Sequence, residues 1–273
     1  DPSQPYSPPP GYAERCNGNP YDGEIAYADE QLGILLGALR QKELLRHTLV
    51  VATGDHGESL GEHGERAHSI FLYDSSTRVP LIFSHAKLQQ SAVLSHVVSH
   101  IDVAPTILEL LGLQPLQSSI GVSLAKPLLS SLEDPAIESL EQALAKRVVY
   151  SESMLPFFEF GWAELRSLRS LDARYIQAPK EELYALIADP DEQLNIFEQS
   201  SDSAAVFQGF MKDLLAEGEL DVPLSSFEDL SEANRSILVE LGYLGSTTTP
   251  GENLVDPKDR IGLFEEQAAA INL

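Results

Sequence analysis

Apolar residues recur at three- and four-residue intervals in the first long segment of the chain, residues 23–45. The positions on that stripe are Ile25, Ala28, Leu32, Leu35, Leu36 and Leu39. Because an α-helix turns once every 3.6 residues, this spacing predicts an amphipathic helix. The same pattern predicts helices over residues 102–111, with Asp102 as the N-cap and Gly112 after the end, and over residues 206–216.

A short run of β-branched and apolar residues, TLVVAT at residues 48–53, has the pattern of a strand buried on both faces. It ends at the polar, glycine-bracketed sequence GDHGE. Open α/β sheets bind ligands beyond the carboxyl ends of their strands. The turn after this strand is therefore a candidate ligand site.

Further strands are predicted downstream. Residues 79–83 and 147–152 each have the composition of a strand. Two apolar runs, residues 165–168 and 174–177, flank Asp172, which predicts an antiparallel hairpin. The later part of the chain is therefore expected to contain a sheet with short connections.

Candidate chemistry concentrates between Arg46 and Tyr73, a segment that holds four of the seven histidines. Asp55 and His56 lie in a strand-to-loop turn between two glycines, where both side chains can reach one cation. A carboxylate favours hard ions such as calcium or magnesium, and an imidazole favours transition metals. The alternative is an aspartate that caps the turn beside an exposed histidine.

The glycine-bounded loop that follows carries Glu62, His63 and His68. Imidazoles held near a metal can bind an anionic substrate and take part in proton transfer. The alternative for these residues is ordinary loop polarity. The other four histidines are interpreted as surface residues or as core residues whose hydrogen bonds are satisfied. These are His47, His85, His96 and His100.

The amino-acid composition limits the kinds of partner that the protein is expected to bind. The 273 residues include 18 Lys and Arg against 42 Asp and Glu, which gives a formal net charge of −24. Such a chain would be repelled by phosphate backbones and anionic lipid headgroups, so we expect neither nucleic acid nor a membrane surface as a partner. No apolar run reaches the roughly 18 residues of a membrane-spanning helix. Because Cys16 is the one cysteine of this sequence, neither a disulfide within the chain nor a zinc site of four cysteines can form.

Several segments, in order and at matching spacing, resemble the C-terminal half of the sulfatase family, within the alkaline-phosphatase-like superfamily. The sequence TLVVATGDHGE at residues 48–58 is similar to the family pattern T-L-V-V-x-T-x-D-H-G-E. The resemblance covers roughly residues 1–245. The other similar segments are residues 1–9, 21–29, 60–64, 72–74, 78–82, 101–106, 182–184, 189–195 and 241–245.

The resemblance implies a metal-dependent hydrolase of sulfuric esters. Asp55 and His56 match the second pair of metal ligands in the family, for which calcium is the usual ion and magnesium or manganese are possible. His68 falls where many members carry a lysine that contacts the sulfate or the leaving-group oxygen. It is therefore the candidate catalytic residue, and His63 and His68 are candidate substrate-binding residues. The implied substrate is a sulfated small molecule or glycan.

The chain departs from the family pattern in two ways. The formylglycine nucleophile and the first pair of metal-binding aspartates belong to the N-terminal half of the family, which this sequence lacks. Two residues after Cys16 the chain has Gly18, where the formylglycine motif needs Pro. Four residues after Cys16 it has Pro20, where the motif needs Arg. The family loop has a histidine where this chain has Ser3. We therefore expect a fragment that is inactive alone.

The fold class expected is α/β: part of a mixed sheet flanked by helices, then a small C-terminal antiparallel sheet. The predicted domains are residues 1–145, which belong to the α/β catalytic domain, and residues 146–217, which form the antiparallel subdomain. Residues 218–273 are predicted to be an extended tail and the start of a helical segment. By resemblance to a bacterial subgroup, helical repeats are possible beyond Leu273. The family resemblance implies a periplasmic or extracellular location, although no signal peptide is recognised in this sequence.

Two rival functions stay open. One is a phosphodiesterase or phosphonate hydrolase of the same superfamily. The other is a non-catalytic binding module derived from it, for which the Ser3 departure is an argument.

Overall fold

The computed structural model describes residues 5–88, 93–117, 119–129, 135–218 and 254–271. The helices are α1 (Tyr12–Arg15), α2 (Pro20–Gln41), α3 (Asp74–Thr77), α4 (Val103–Leu110), α5 (Ala125–Leu129), α6 (Pro135–Ala145), α7 (Leu155–Phe160), α8 (Ser201–Gly218) and α9 (Ile261–Ile271). The strands are β1 (Val50–Thr53), β2 (Leu81–Ser84), β3 (Val149–Ser153), β4 (Leu165–Arg169), β5 (Ala173–Gln177) and β6 (Glu182–Ala185). The α/β fold class is confirmed.

Helix α2 begins three residues before the predicted start because a local cap fixes it there. The Asn19 side chain accepts hydrogen bonds from the backbone N–H groups of Tyr21, at 3.0 Å, and Asp22, at 3.4 Å. Pro20 occupies the first helical position, where its missing N–H is not needed. The described helices include none that is both long and apolar enough to cross a membrane.

Strand β1 follows the prediction in position but not in burial. It pairs antiparallel with β2, from Val50 opposite Ser84 to Thr53 opposite Leu81. Within the described residues this pair is a two-stranded sheet, so β1 is half-buried and Thr53 is exposed. The expected burial on both faces was wrong for this structure because no further described strand covers β1.

A four-stranded antiparallel sheet in the order β3-β4-β5-β6 confirms the predicted hairpin between β4 and β5. Neighbouring residues point to opposite faces of a strand, and the sheet uses both faces. Tyr175 packs on one side with Met211 of α8, and Ile176 packs on the other with residues 70–73. The sheet therefore lies between α8 and the segment that follows the candidate site.

Asp102 was predicted as the N-cap of α4, and it does stand at that position. Its side chain makes no cap hydrogen bond to the helix. The buried carboxylate instead accepts from the N–H groups of Ser99 and Val122, both at 2.8 Å, and pairs with both terminal nitrogens of Arg147, at 2.5 and 2.8 Å. The carboxylate thus closes a capping box with Ser99 at the short 3-10 turn before α4, and it also binds Arg147, a charged partner from a distant segment.

The C-terminal segment packs back onto the antiparallel sheet. The N–H of Ala163 donates to the carbonyl of Val255 at 2.9 Å, and Lys258 pairs with the buried carboxylates of Glu182 and Asp256. Ile261 and Phe264 pack against the core cluster that holds residues 70–73. This segment therefore belongs to the same packed unit as the sheet.

A buried ion cluster joins the sheet to the start of α3. Arg169 binds both carboxylate oxygens of Asp74, at 2.9 and 3.0 Å, and Arg174 hydrogen-bonds to one of them. The Arg174 Nε also lies 2.5 Å from Glu192 Oε1. The side chain of Arg174 is 1 % exposed and that of Glu192 2 % exposed, so these charges are removed from water.

We predict that Arg174→Met destabilises the fold by about 3–5 kcal/mol, since it leaves the buried carboxylate of Glu192 and the partly buried carboxylate of Asp74 short of a positive partner. The matched control is Arg15→Met, which breaks the exposed Arg15–Glu30 ion pair and should cost less than about 1 kcal/mol. Urea unfolding measures both. Equal losses for the two variants would contradict the assigned role of the buried cluster.

Candidate active site

The loop after β1 is held in place at Gly57. Its N–H donates to the carbonyl of Ser76 at 2.8 Å, and a Cβ atom added at Gly57 would lie 2.1 Å from the carbonyl oxygen of Ser75. The hydroxyls of Ser59 and Ser75 are hydrogen-bonded at 2.8 Å. Glycine is therefore required here because the loop lies directly against the backbone of α3.

The far end of the loop is closed by a buried carboxylate. Glu65 is 0 % exposed, and its two oxygens accept from the N–H groups of Ile70, at 2.8 Å, and Phe71, at 3.2 Å. Burial raises the pKa of Glu65 to about 7, against the lowering effect of these two hydrogen bonds. Together Gly57 and Glu65 fix the loop on which the candidate site residues stand.

Asp55 and His56 lie at the exposed tip beyond β1, with Asp55 Oδ2 and His56 Nε2 3.8 Å apart. The carbonyl of Gly57 lies 2.8 Å from His56 Nδ1, and because a carbonyl only accepts, Nδ1 carries the proton and Nε2 is available to a ligand. The His56 N–H donates to Asp55 Oδ1 and lowers the pKa of that carboxyl. Two ligand atoms at this separation fit one cation with bonds of roughly 2.0–2.6 Å.

His68 lies beside this pair. The rings of His56 and His68 are tilted by 32° with centroids 3.9 Å apart. His68 Nδ1 is 2.6 Å from Glu58 Oε2, and the hydroxyl of Tyr6 donates to Glu58 Oε1, also at 2.6 Å. The ligand atoms of His56, Glu58 and His68 all lie within 4.8 Å of one another.

Two functional candidates were missed by the sequence interpretation. Glu58 stands two residues after His56 in the GDHGE turn, and that spacing was the available signal. His100 was interpreted as a surface or core residue, and its ring is indeed exposed. However, its Nε2 donates to the carbonyl of Gly54 at 2.8 Å and lies 3.3 Å from Thr53 Oγ1, which ties the end of β1 to the segment before α4.

His63 is placed differently from the other candidates. Its ring stacks on Tyr73 with centroids 3.5 Å apart and planes 13° apart, and burial lowers its pKa. Among the described residues it makes no ring contact with His56 or His68. Its predicted part in substrate binding stays a prediction. Ser3, where the family pattern has a histidine, lies outside the described residues.

Comparison with known proteins shows which protein family the segment that carries this site resembles. Residues 4–113, which include the whole loop, match the sequence profile of the sulfatase family. This part of the chain is therefore similar to the sulfatase family. The chain is 35% identical over 114 residues to arylsulfatase K of Gallus gallus, a match that covers 42% of this chain and 21% of the relative.

Solved structures show the same fold beyond the matched residues. A 2-O GAG sulfatase superposes with a TM-score of 0.62 at 21% identity, over 90% of this chain and 51% of that protein. The phosphonate monoester hydrolase of Agrobacterium radiobacter superposes with a TM-score of 0.55 at 25% identity, over 72% and 40% of the two chains. The chain thus has the sulfatase, alkaline-phosphatase-like fold and spans about a fifth of the curated relative's length.

We predict that Gly57→Ala destabilises the protein by about 1–3 kcal/mol, since the added methyl group must displace the backbone of Ser75. Gly33→Ala is the matched control: it lies in α2 with nothing within 4 Å of the added Cβ, and alanine favours a helix by about 1 kcal/mol. Thermal unfolding of both variants measures the difference. A Gly57→Ala protein as stable as Gly33→Ala would contradict the close approach.

We predict that Glu65→Gln changes the pH dependence of stability. A carboxyl whose pKa is raised from 4.5 to about 7 on folding stabilises the protein fully below pH 4.5, and this stabilisation is lost as the pH rises through 7. Glutamine stays neutral, so the free energy of unfolding of the variant should rise relative to that of the wild type as the pH goes from 4.5 to 7. The expected rise is up to about 3 kcal/mol. Urea unfolding over pH 4.5–8 measures this gain. The exposed Glu14→Gln is the control, and parallel curves for Glu65→Gln and the wild type would contradict the prediction.

Proposed function

We propose that the protein is a metal-dependent hydrolase of sulfuric esters. Asp55 and His56 would hold a divalent cation, and His68 would protonate the departing oxygen. The observation that supports this most directly is the juxtaposition of the 3.8 Å Asp55–His56 pair and the His68 ring in one loop of a sulfatase-family segment.

The Asp55 carboxylate supplies charge to the cation site and His56 supplies a nitrogen ligand. Calcium is the ion that we favour because the family commonly uses it, with magnesium and manganese as alternatives. When bound, a divalent cation polarises the sulfate oxygens and offsets the negative charge of the substrate. This local positive charge is needed because the chain as a whole carries a net charge of −24.

His68 is suited to proton transfer by its position. Its ring is 29% exposed, its Nδ1 is held by Glu58, and its Nε2 is left for a substrate oxygen. A general acid at this place would contribute roughly 10²–10⁴-fold to the rate. We infer that a formylglycine nucleophile, as in the family, completes the site from residues other than those of this chain.

The substrate class we propose is a sulfated glycan or sulfated small molecule. This rests on the arylsulfatase K match and on the 2-O GAG sulfatase fold. His63 is retained as a candidate for contact with the sugar or sulfate. Phosphonate ester hydrolysis is the second candidate function, and the similarity in fold to a phosphonate monoester hydrolase supports it.

The test uses the complete gene product, assayed with an aryl sulfate and an aryl phosphonate of the same leaving group. We expect the sulfate to be turned over faster, Asp55→Asn to lose bound metal, and His68→Ala to lose about 10²–10⁴-fold in kcat. Metal content is measured by elemental analysis after purification.

Asp202→Asn and His47→Ala, both at exposed positions, are the matched controls and should leave turnover and metal content unchanged. Faster turnover of the phosphonate would favour the second function. No turnover of either ester, with no metal bound, would contradict both and favour the binding module.

A further inference from the structure

We infer that Glu58 is a positioning residue that sets the orientation and tautomer of His68, and that Tyr6 holds Glu58 in place. The inference rests on the proposed function for its catalytic consequence, because His68 is the proton donor in that proposal. The Tyr6–Glu58–His68 contact itself is a feature of the structure.

Burial makes this contact strong. The Glu58 side chain is 4% exposed, whereas the His68 side chain is 29% exposed. Both Glu58 oxygens are used, one by His68 Nδ1 and one by the Tyr6 hydroxyl, each at 2.6 Å. Hydrogen bonds to a carboxylate are shorter and about twice as strong as neutral ones, so the ring is held firmly.

The contact also determines which ring nitrogen faces the substrate. An ionised carboxylate can only accept a hydrogen bond, so His68 Nδ1 must carry its proton. To act as the general acid, His68 has to be the imidazolium: Nδ1–H stays on Glu58, and the second proton, on Nε2, passes to the departing oxygen and leaves the neutral Nδ1–H ring. The ring cannot rotate without losing the Glu58 bond. Partners of this kind fix histidines in metal and catalytic sites, and their loss typically costs about 10–100-fold.

Tyr6 connects Glu58 to the proline-rich start of the chain. Its hydroxyl donates to the second Glu58 oxygen, and its ring packs edge-on against Tyr21 of α2, with centroids 5.3 Å apart. The two hydrogen bonds together fix the rotamer of Glu58. A segment far from the GDHGE turn in sequence thus positions the catalytic histidine.

A competing role for Glu58 is metal ligation, because its oxygens lie near the nitrogens of His56 and His68. Two observations favour positioning. Both oxygens already have donors, and Asp55, with a side chain 73% exposed, offers a freer carboxylate 3.8 Å from His56 Nε2. The two roles differ in their effect on bound metal, which makes them separable.

The kinetic test compares Glu58→Gln with the wild type in the complete gene product, using aryl sulfates with leaving groups of different pKa. We expect kcat to fall about 10–100-fold with KM nearly unchanged, and the loss to grow as the leaving group becomes more basic and needs the proton more. Tyr6→Phe should show a smaller loss of the same kind. Glu14→Gln is the control.

The second readout does not depend on activity. Ring ¹⁵N chemical shifts of His68 at alkaline pH, where imidazole is neutral, report which nitrogen carries the proton. We expect Nδ1–H in the wild type and in Tyr6→Phe. Glu58→Gln should give a mixture or the Nε2–H form, because an amide can turn either its oxygen or its NH₂ group towards Nδ1.

These readouts separate the two proposals. Absence of sulfatase turnover overturns the proposed function, while the ¹⁵N shifts still decide whether Glu58 sets the tautomer. Unchanged shifts in Glu58→Gln overturn the inference, as does a loss of kcat that is the same for every leaving group. Loss of bound metal in Glu58→Gln, as in Asp55→Asn, would make Glu58 a ligand and overturn it as well.

Discussion

The buried contact between Asp74 and the two arginines of the antiparallel sheet is the constraint on which the arrangement of this protein depends. Asp74 begins α3 directly after the buried segment 70–73, and its partners stand on β4 and β5. Burial acts to raise the pKa of Asp74, but the hydrogen bonds from Arg169 and the charge of Arg174 outweigh it and lower that pKa. For Glu192, burial prevails and raises the pKa despite Arg174. The cluster therefore binds the sheet to α3 through charges that are partly or fully removed from water.

Once α3 is fixed, the site loop has little freedom. Gly57 is hydrogen-bonded to the α3 backbone, Glu65 closes the other end of the loop, and His100 donates to the carbonyl of Gly54, the first residue after β1. The side chains on this loop are thus held by contacts made outside it. Such support matters for catalysis because a general acid has to meet the departing oxygen within a few tenths of an ångström.

The sequence predicted part of this arrangement. Periodicity indicated α2, α4 and α8, and the hairpin between β4 and β5, because these depend on local patterns of burial. The GDHGE turn indicated Asp55 and His56, and the structure brings His68 beside them. The contact between Tyr6 and Glu58 was missed because it joins positions 52 residues apart, which no local pattern encodes. The stacking of His63 on Tyr73 could not be predicted for the same reason.

The sequence by itself determined the fold class, the position of the candidate ligand-binding turn and the residue types that suit a cation and an anionic ester. These follow from hydrophobic periodicity, glycine placement and side-chain chemistry, which act over a few residues. Only the tertiary structure decided which side chains meet: Glu58 with His68, Arg174 with Asp74, and Asp102 with Arg147 instead of its own helix. Those pairings depend on how distant segments exclude water from one another, because a buried charge has to find its partner wherever the chain folding places it.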